Sequence, residues 1–196
     1  MPRDWEAFWR DWEETRPPAF VVRAYGPCVP EGPVLDLAGG LGRNARPFLE
    51  KGQPVVLVER SRSALEKLRG IPGLTLLELD LEAIDAPLRL PPGPFSGILL
   101  CYFVHRPLLK ALGAFLKPGG LLLVEGFTEK EARRRGRESP HYWGTYELLT
   151  PPPGLSLRAY GEGWMEGYRA FAVYQRPLEA RVPVGALDPG FLRPPS

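Results

Sequence analysis

Short apolar runs alternate with helical segments through the middle of the chain. Five of the runs predict strands: GPVLDLAG, QPVVLVER, LTLLELD, FSGILLCYF and GLLLVEGF. The segments between them carry helical periodicity and end signals in RNARPFLEKG, SALEKLRG and HRPLLKALGAFLKPGG, whereas prolines interrupt LEAIDAPLRLPPGP. Ser61 is predicted to cap the helix through SALEKLRG. Continuous apolar strands separated by helices are typical of a parallel sheet buried on both faces. We therefore predict a doubly wound α/β domain.

The C-terminal part follows a different pattern. LSLRAYGEGWMEGYRAFAVYQRP holds two strand-like runs joined by a glycine-containing stretch, with no room for a crossover helix. A hairpin is the economical interpretation, so the last two strands should be antiparallel to each other. The final RPLEARVPVGALDPGFLRPPS has five prolines and little periodicity. We predict one domain over residues 1–176 and a proline-rich tail over 177–196.

An aromatic stripe marks the N-terminus. Four residues follow the spacing of one helical face: Trp5, Phe8, Trp9 and Trp12. Asp4 can cap the start of this helix. Residues 1–30 are predicted to form the helix and a lid region. Core packing is the favoured role of Trp5 and Trp12, whereas Trp9 and Tyr25 are candidate pocket residues.

Composition narrows the class of protein. The chain has 196 residues, 44% of them hydrophobic and 24% charged, with a formal net charge of +2. This near balance gives no electrostatic case for a nucleic acid or an anionic membrane. Cys28 and Cys101 form no metal-type pair and suggest no disulfide framework, so no metal is predicted. With a highly charged N-terminus and no membrane-spanning run, we expect a cytoplasmic protein.

A glycine cluster, LDLAGGLGRN, follows the first predicted strand and contains Gly39, Gly40 and Gly42. From Gly40 onwards the sequence also fits the G-x-G-x-x-G/A fingerprint of dinucleotide-binding loops. Glu59 ends the second strand and Asp80 the third. The alternative interpretation is that the glycines only form a structural turn. The acids at two further strand ends favour a nucleoside-type cofactor at the carboxyl edge of the sheet.

The position of Asp36, within the strand before these glycines, bears on which cofactor binds. A carboxylate there would repel the pyrophosphate of NAD, which prefers an unopposed helix N-terminus. It suits the ammonium and sulfonium charges of S-adenosylmethionine, and the chain is short for a dehydrogenase. These arguments favour S-adenosylmethionine. An NAD-dependent oxidoreductase and a non-catalytic S-adenosylmethionine-binding domain remain the alternatives.

The stretch VLDLAGGLGRNARPFLEKG, followed by VVLVERSRSALEKL, resembles the first half of a class I S-adenosylmethionine-dependent methyltransferase. It is similar to the small enzymes grouped with tellurite- and thiol-modifying methyltransferases. The resemblance continues through LELDLEA, LLCYFVHRPLL and LKPGGLLLVEGF and covers roughly Ala19 to Phe127. It implies a Rossmann-like sheet of seven strands, mostly parallel, with an antiparallel C-terminal hairpin.

The resemblance also implies roles for individual residues. The methionine part of the cofactor would be held by Asp36 and the loop residues Ala38, Gly39, Gly40 and Gly42, with Asn44 closing the same motif. The resemblance places Glu59 on the ribose hydroxyls and Arg60 beside the adenine. It gives Asp80 the adenine amino group and Leu81 the next backbone amide. Cys101 and Tyr102 would line the methionine and methyl side.

Methyl transfer is an in-line displacement that needs a general base only if the acceptor loses a proton. His105 is the candidate base, and capping of the following helix is its equally supported alternative. Tyr102 could contribute its phenol, and Glu125 and Phe127 end the fifth strand near the same rim. For the segment HYW, residues 141–143, a surface loop is slightly favoured over a cover of the pocket.

The acceptor side of the sequence gives fewer signals. CYFVH stands where enzymes that methylate nucleobases or glutamine often carry an N-P-P-Y-type tetrapeptide, and no added RNA-binding domain is visible. We therefore expect a small-molecule acceptor rather than a nucleic acid. The sequence leaves a homodimer open.

Overall fold

The sheet has seven strands in the order β3-β2-β1-β4-β5-β7-β6. The computed structural model describes residues 4–83, 89–137 and 139–178. The strands are β1 (Val34–Leu37), β2 (Val55–Glu59), β3 (Leu74–Glu78), β4 (Phe95–Cys101), β5 (Leu116–Phe127), β6 (Ser156–Trp164) and β7 (Tyr168–Gln175). Strands β1 to β5 are parallel, and β7 is antiparallel to both β5 and β6. The predicted fold class is confirmed.

Six short α-helices surround the sheet in the described residues. They are α1 (Trp5–Asp11), α2 (Phe20–Tyr25), α3 (Arg46–Glu50), α4 (Arg62–Lys67), α5 (Arg106–Ala111) and α6 (Glu129–Arg134). Predicted caps are present at two of them. Asp4 accepts a hydrogen bond from the Ala7 amide, and the Ser61 hydroxyl oxygen accepts one from the Ala64 amide.

Apolar side chains fill both faces of the sheet. Every residue of β1 and of β4 is buried. Alternate residues of these strands enter different clusters: Leu35 and Leu37 pack on one side, and Val34 packs on the other. This two-sided burial explains why the strands appear in the sequence as continuous apolar runs.

Three boundaries differ from the sequence-based expectations. Strand β5 begins at Leu116, inside the segment predicted to end a helix, and the β4–β5 register shifts so that Gly97 pairs with Leu121. Hydrogen bonds between Gly119 and the end of β7 hold this early part extended. Helix α1 ends at Asp11, before Trp12, the last residue of the predicted helical face, and helix α2 was not predicted. The predictions for the tail after residue 178 and for residues 84–88 lie outside the described residues.

Candidate functional site

The glycine loop follows β1 at the carboxyl edge of the sheet, as predicted. Ala38, Gly40 and Gly42 have positive φ values of 52°, 53° and 70°. A Cβ on Gly39 would lie 2.6 Å from the Leu57 side chain, so only glycine lets the loop pass this close to β2. Two different constraints, backbone conformation and close approach, thus explain the glycine cluster.

Asp36 is the least satisfied polar group of this edge. Its side chain lies in β1 with the residue 1% exposed, and neither carboxylate oxygen meets hydrogen-bond geometry with a group in the described residues. Burial raises its pKa from 3.8 to about 7; the Arg43 charge and the nearby Ala45 amide oppose this rise, and the Glu59 charge adds to it. A buried carboxylate without a partner is costly, so its position requires an explanation.

Glu59 and Asn44 hold the loop in place. One Glu59 oxygen accepts from the Gly40 amide at 3.0 Å, and the other accepts from the amides of Arg60 and Ser61. The Asn44 side-chain oxygen accepts from the Ala19 amide at 2.9 Å. Both residues, predicted to touch the cofactor, therefore have a loop-positioning role in the structure. The Glu59 oxygen facing Gly40 keeps a second lone pair for a further donor.

A cavity of about 470 Å³ lies between α1 and the ends of β2 and β3. Trp5, Arg60 and Asp80 line it, and the Arg60 guanidinium contacts Glu82 at 2.9 Å and Asp80 at 3.7 Å. The structure thus brings together two of the residues predicted for the adenine. Leu81 is buried in the core beside them.

Helix α1 covers the glycine loop. A Cβ on Gly40 would lie 2.8 Å from two atoms of the Trp9 ring, so the indole rests on the loop backbone. Two contacts fasten α1 to α4: Glu6 accepts from the Arg62 and Ser63 amides, and Lys67 donates to the backbone carbonyls of Arg10 and Trp12. Trp9 therefore lies at the site.

Tyr25, the other aromatic residue proposed for the pocket, packs against β7. Its ring centroid lies 5.9 Å from that of Phe171 on β7, within the core cluster on that side of the sheet. Trp5 and Trp12 are only partly buried and belong to neither core cluster, so the expected core packing is not found; Trp12 stacks on Phe8.

Tyr102 and Glu125 form a hydrogen-bonded pair where β4 ends. Tyr102 has a φ of 60°, and its hydroxyl donates to Glu125 at 2.5 Å. Glu125 is fully buried and also accepts from the Val21 amide at 2.8 Å. Burial raises the pKa of the Tyr102 phenol, and the Glu125 charge adds to the rise, so the phenol keeps its proton at neutral pH. Cys101 is buried opposite Glu125, and burial raises the pKa of its thiol.

His105 is the N-cap residue of α5. Its Nδ1 accepts from the Leu108 amide at 3.1 Å, and its ring stacks with Phe103 at 6.1 Å. In a neutral imidazole this bond places the proton on Nε2, so the basic nitrogen is already occupied. The geometry matches the capping alternative, and the role of a base stays a prediction.

The HYW segment is anchored at one end and exposed at the other. Trp143 is fully buried, and its backbone pairs with Phe127 and Glu129 at the end of β5. The His141 side chain is exposed and lies 3.9 Å from Glu82. The segment therefore forms a surface loop anchored by its tryptophan, the alternative that the sequence slightly favoured.

Two arginines beside Tyr102 were assigned no role from the sequence. The guanidinium carbons of Arg43 and Arg169 lie 4.8 Å and 5.6 Å from the Tyr102 ring centroid, and Arg169 also lies 5.4 Å from that of Phe127. Arg43 belongs to the glycine motif, but Arg169 stands on β7, distant in sequence from any motif. Only the folded sheet brings both side chains to the Tyr102 ring.

Comparisons with known proteins add fold-level information. No protein-family model matches the chain, and no curated protein matches its sequence. Among solved structures, the chain is similar to the methyltransferase CcbJ from Streptomyces caelestis, with a TM-score of 0.65 and 17% identity over 88% of this chain and 96% of that one.

Two further structures agree. A SAM-dependent methyltransferase from Methanosarcina mazei has a TM-score of 0.61 and 14% identity, covering 84% of this chain and 100% of its own. A TehB-like SAM-dependent methyltransferase from Corynebacterium glutamicum has a TM-score of 0.58 and 16% identity, covering 80% and 86%.

The fold is a Rossmann-like α/β sheet with a glycine loop at its carboxyl edge, the edge where sheets of this kind bind ligands. The strand order and the antiparallel β7, together with these structural neighbours, identify the fold as that of class I S-adenosylmethionine-dependent methyltransferases. In the part of the chain that the structure describes, no helix is long and apolar enough to span a membrane, and no three metal-binding side chains cluster.

Proposed function

We propose that the chain is an S-adenosylmethionine-dependent methyltransferase acting on a small-molecule acceptor. The observation that carries this proposal is Asp36, a buried carboxylate without a hydrogen-bond partner among the described residues, placed beside a glycine loop. A cationic ligand group at this loop would compensate the buried charge, whereas a pyrophosphate would worsen it. S-adenosylmethionine supplies an ammonium, a sulfonium and an activated methyl group.

The residues of the site fit the parts of this cofactor. Asp36 would hold the α-ammonium of the methionine end. Glu59 would accept from a ribose hydroxyl while it keeps the loop amide. The cavity lined by Trp5, Arg60 and Asp80 would receive the adenine. The Trp9 indole over Gly40 would exclude water from the loop, in keeping with a lid role for α1.

We infer that Tyr102 and Glu125 would handle the acceptor's proton. Because the Tyr102 hydroxyl donates to Glu125, its oxygen can accept a hydrogen bond from an O–H, N–H or S–H group of the acceptor. When the acceptor loses its proton to the Tyr102 oxygen, the phenol proton passes to Glu125. The phenol therefore acts as a relay and needs no ionised state of its own. His105 remains the alternative candidate for the base.

Calorimetric titration of the purified protein against S-adenosylhomocysteine and against NAD tests the cofactor. We expect equimolar binding of S-adenosylhomocysteine, none of NAD, and a loss of binding in Asp36→Ala with the fold retained. Glu50→Ala is the matched control, because Glu50 is an exposed acid on α3. Binding of NAD alone would overturn the proposal.

Transfer of a labelled methyl group from S-adenosylmethionine to a panel of small metabolites tests the activity. A labelled product supports a small-molecule methyltransferase. Cofactor binding with no transfer to any panel member would favour the non-catalytic binding domain.

A further inference from the structure

Arg43 lacks the carboxylate partner that arginines usually find. It forms no ion pair with any residue of the described ranges, and its hydrogen bond there is a long one of 3.5 Å to the Pro17 carbonyl. The side chain is partly exposed and its guanidinium lies beside the Tyr102 ring. Its planar group is therefore available to a ligand at the methyl end of the site.

Arg169 is more deeply buried and also incompletely satisfied. Its side chain is 14% exposed, and its Nε is buried without a hydrogen-bond partner in the described part of the chain. Its contacts are long: 3.5 Å to Glu125, and 3.3 Å and 3.6 Å to the carbonyl and the carboxylate of the exposed Glu166. Glu125 is already engaged by Tyr102 and by the Val21 amide. A largely desolvated guanidinium whose terminal nitrogens make only long contacts favours an additional anion.

Two other arginines near the site show what an ion pair with a structural role looks like in this chain. Arg106 binds Glu147 through two nitrogens at 2.6 Å and 2.8 Å, and Arg16 binds Glu14 in the same way at 2.7 Å and 2.8 Å. These are short, two-point ion pairs. Arg43 and Arg169 depart from this pattern, and both departures occur beside the same ring.

We propose that Arg43 and Arg169 form an anion subsite for the methyl acceptor, and that the acceptor is an organic acid. Its carboxylate would lie between the two guanidinium groups, and an aromatic or planar body would contact Tyr102 and Phe127. A planar fork matches a carboxylate with two parallel hydrogen bonds. This inference rests on the proposed methyltransferase function, because that function makes the Tyr102 edge the acceptor side.

The carboxylate group at the methionine end of the cofactor is the other ligand group that these two arginines would bind. The two sources differ in how they respond to bound S-adenosylhomocysteine. An acceptor subsite stays free when the cofactor product is bound, whereas a methionine subsite is then filled. The experiment is therefore performed with and without saturating S-adenosylhomocysteine.

Benzoate and its neutral isostere benzamide are the probes, and their binding to the full chain is measured by saturation-transfer NMR. We expect benzoate to bind in the presence of S-adenosylhomocysteine and benzamide to bind at least about tenfold more weakly. Arg43→Gln and Arg169→Lys should each weaken benzoate binding about tenfold. Arg23→Gln, an exposed arginine on α2, is the control and should change nothing.

Arg169→Lys is chosen because a neutral residue would leave Glu125 buried without its cation. Arg43→Gln breaks no ion pair in the described residues but removes a charge that favours ionised Asp36, so benzoate binding is compared at matched saturation with S-adenosylhomocysteine. Equal binding of benzoate and benzamide would overturn the inference, as would benzoate binding that S-adenosylhomocysteine abolishes or no benzoate binding at all. If S-adenosylhomocysteine fails to bind while benzoate binds through both arginines, the methyltransferase proposal falls and the anion subsite stands.

Discussion

Replacing Asp36 with asparagine should stabilise the protein at high pH. The pKa of Asp36 is about 7 in the folded chain against an ordinary value of 3.8. Below pH 3.8 both states hold the proton, so the residue changes nothing. Between pH 3.8 and 7 the unfolded chain releases the proton and the folded chain keeps it, so the free energy of unfolding falls as pH rises. Above pH 7 the loss is complete.

The size of this loss follows from the two pKa values. At about 1.36 kcal/mol per pKa unit, the difference between 3.8 and about 7 destabilises the folded state by roughly 4 kcal/mol above pH 7. Roughly 2–3 kcal/mol of it develops between pH 5 and pH 8. Asp36→Asn removes the titration. Any cost of a buried amide is the same at both pH values and cancels in the comparison.

Urea unfolding at pH 5 and pH 8, followed by circular dichroism, measures the effect. The stability lost by the wild type between the two pH values should exceed that lost by Asp36→Asn by about 2–3 kcal/mol. Glu50→Gln controls for the removal of an exposed acid. Equal losses in wild type and Asp36→Asn would show that Asp36 is ionised in the folded chain, and the argument for an uncompensated carboxylate would be wrong.

Four further outcomes are expected. Affinity for S-adenosylhomocysteine should rise about tenfold between pH 6 and pH 8 in calorimetry as Asp36 ionises, and stay flat in Asp36→Asn. Tyr102→Phe should lower the rate of methyl transfer and leave cofactor affinity unchanged; an unchanged rate would remove the relay. His105→Ala should cost about 1 kcal/mol of stability because the helix cap is lost. His105→Asn should restore the cap and keep the wild-type rate of methyl transfer. A lower rate in a stable His105→Asn would instead support His105 as a base. Lys67→Met should speed proteolysis within residues 4–18 at unchanged global stability, because Lys67 fastens α1 to α4.

Local signals in the sequence predicted much of the fold. The apolar runs located all seven strands, and the capping residues Asp4 and Ser61 located two helix starts. These features depend on neighbours within a few residues, so a linear pattern records them. The start of β5 was missed, because its early part is held by hydrogen bonds to the distant end of β7.

For the same reason, only part of the candidate site could be predicted from the sequence. The glycine loop and the acids at three strand ends lie at positions that the strand pattern defines. Glu59 and Asn44 were assigned to the cofactor, but their contacts to Gly40 and Ala19 depend on how the loop closes. Arg169 and the indole of Trp9 reach the site from opposite ends of the chain, and no local pattern reports such encounters.

The titration of the Asp36 carboxyl group by NMR, with and without S-adenosylhomocysteine, tests the cofactor proposal most directly. In the free protein Asp36 should titrate near pH 7. An ammonium bound beside it favours the ionised form, so saturating S-adenosylhomocysteine should lower this pKa by at least about two units. An Asp36 pKa that stays near 7 in the complex would show that the carboxylate does not hold the cofactor's cation.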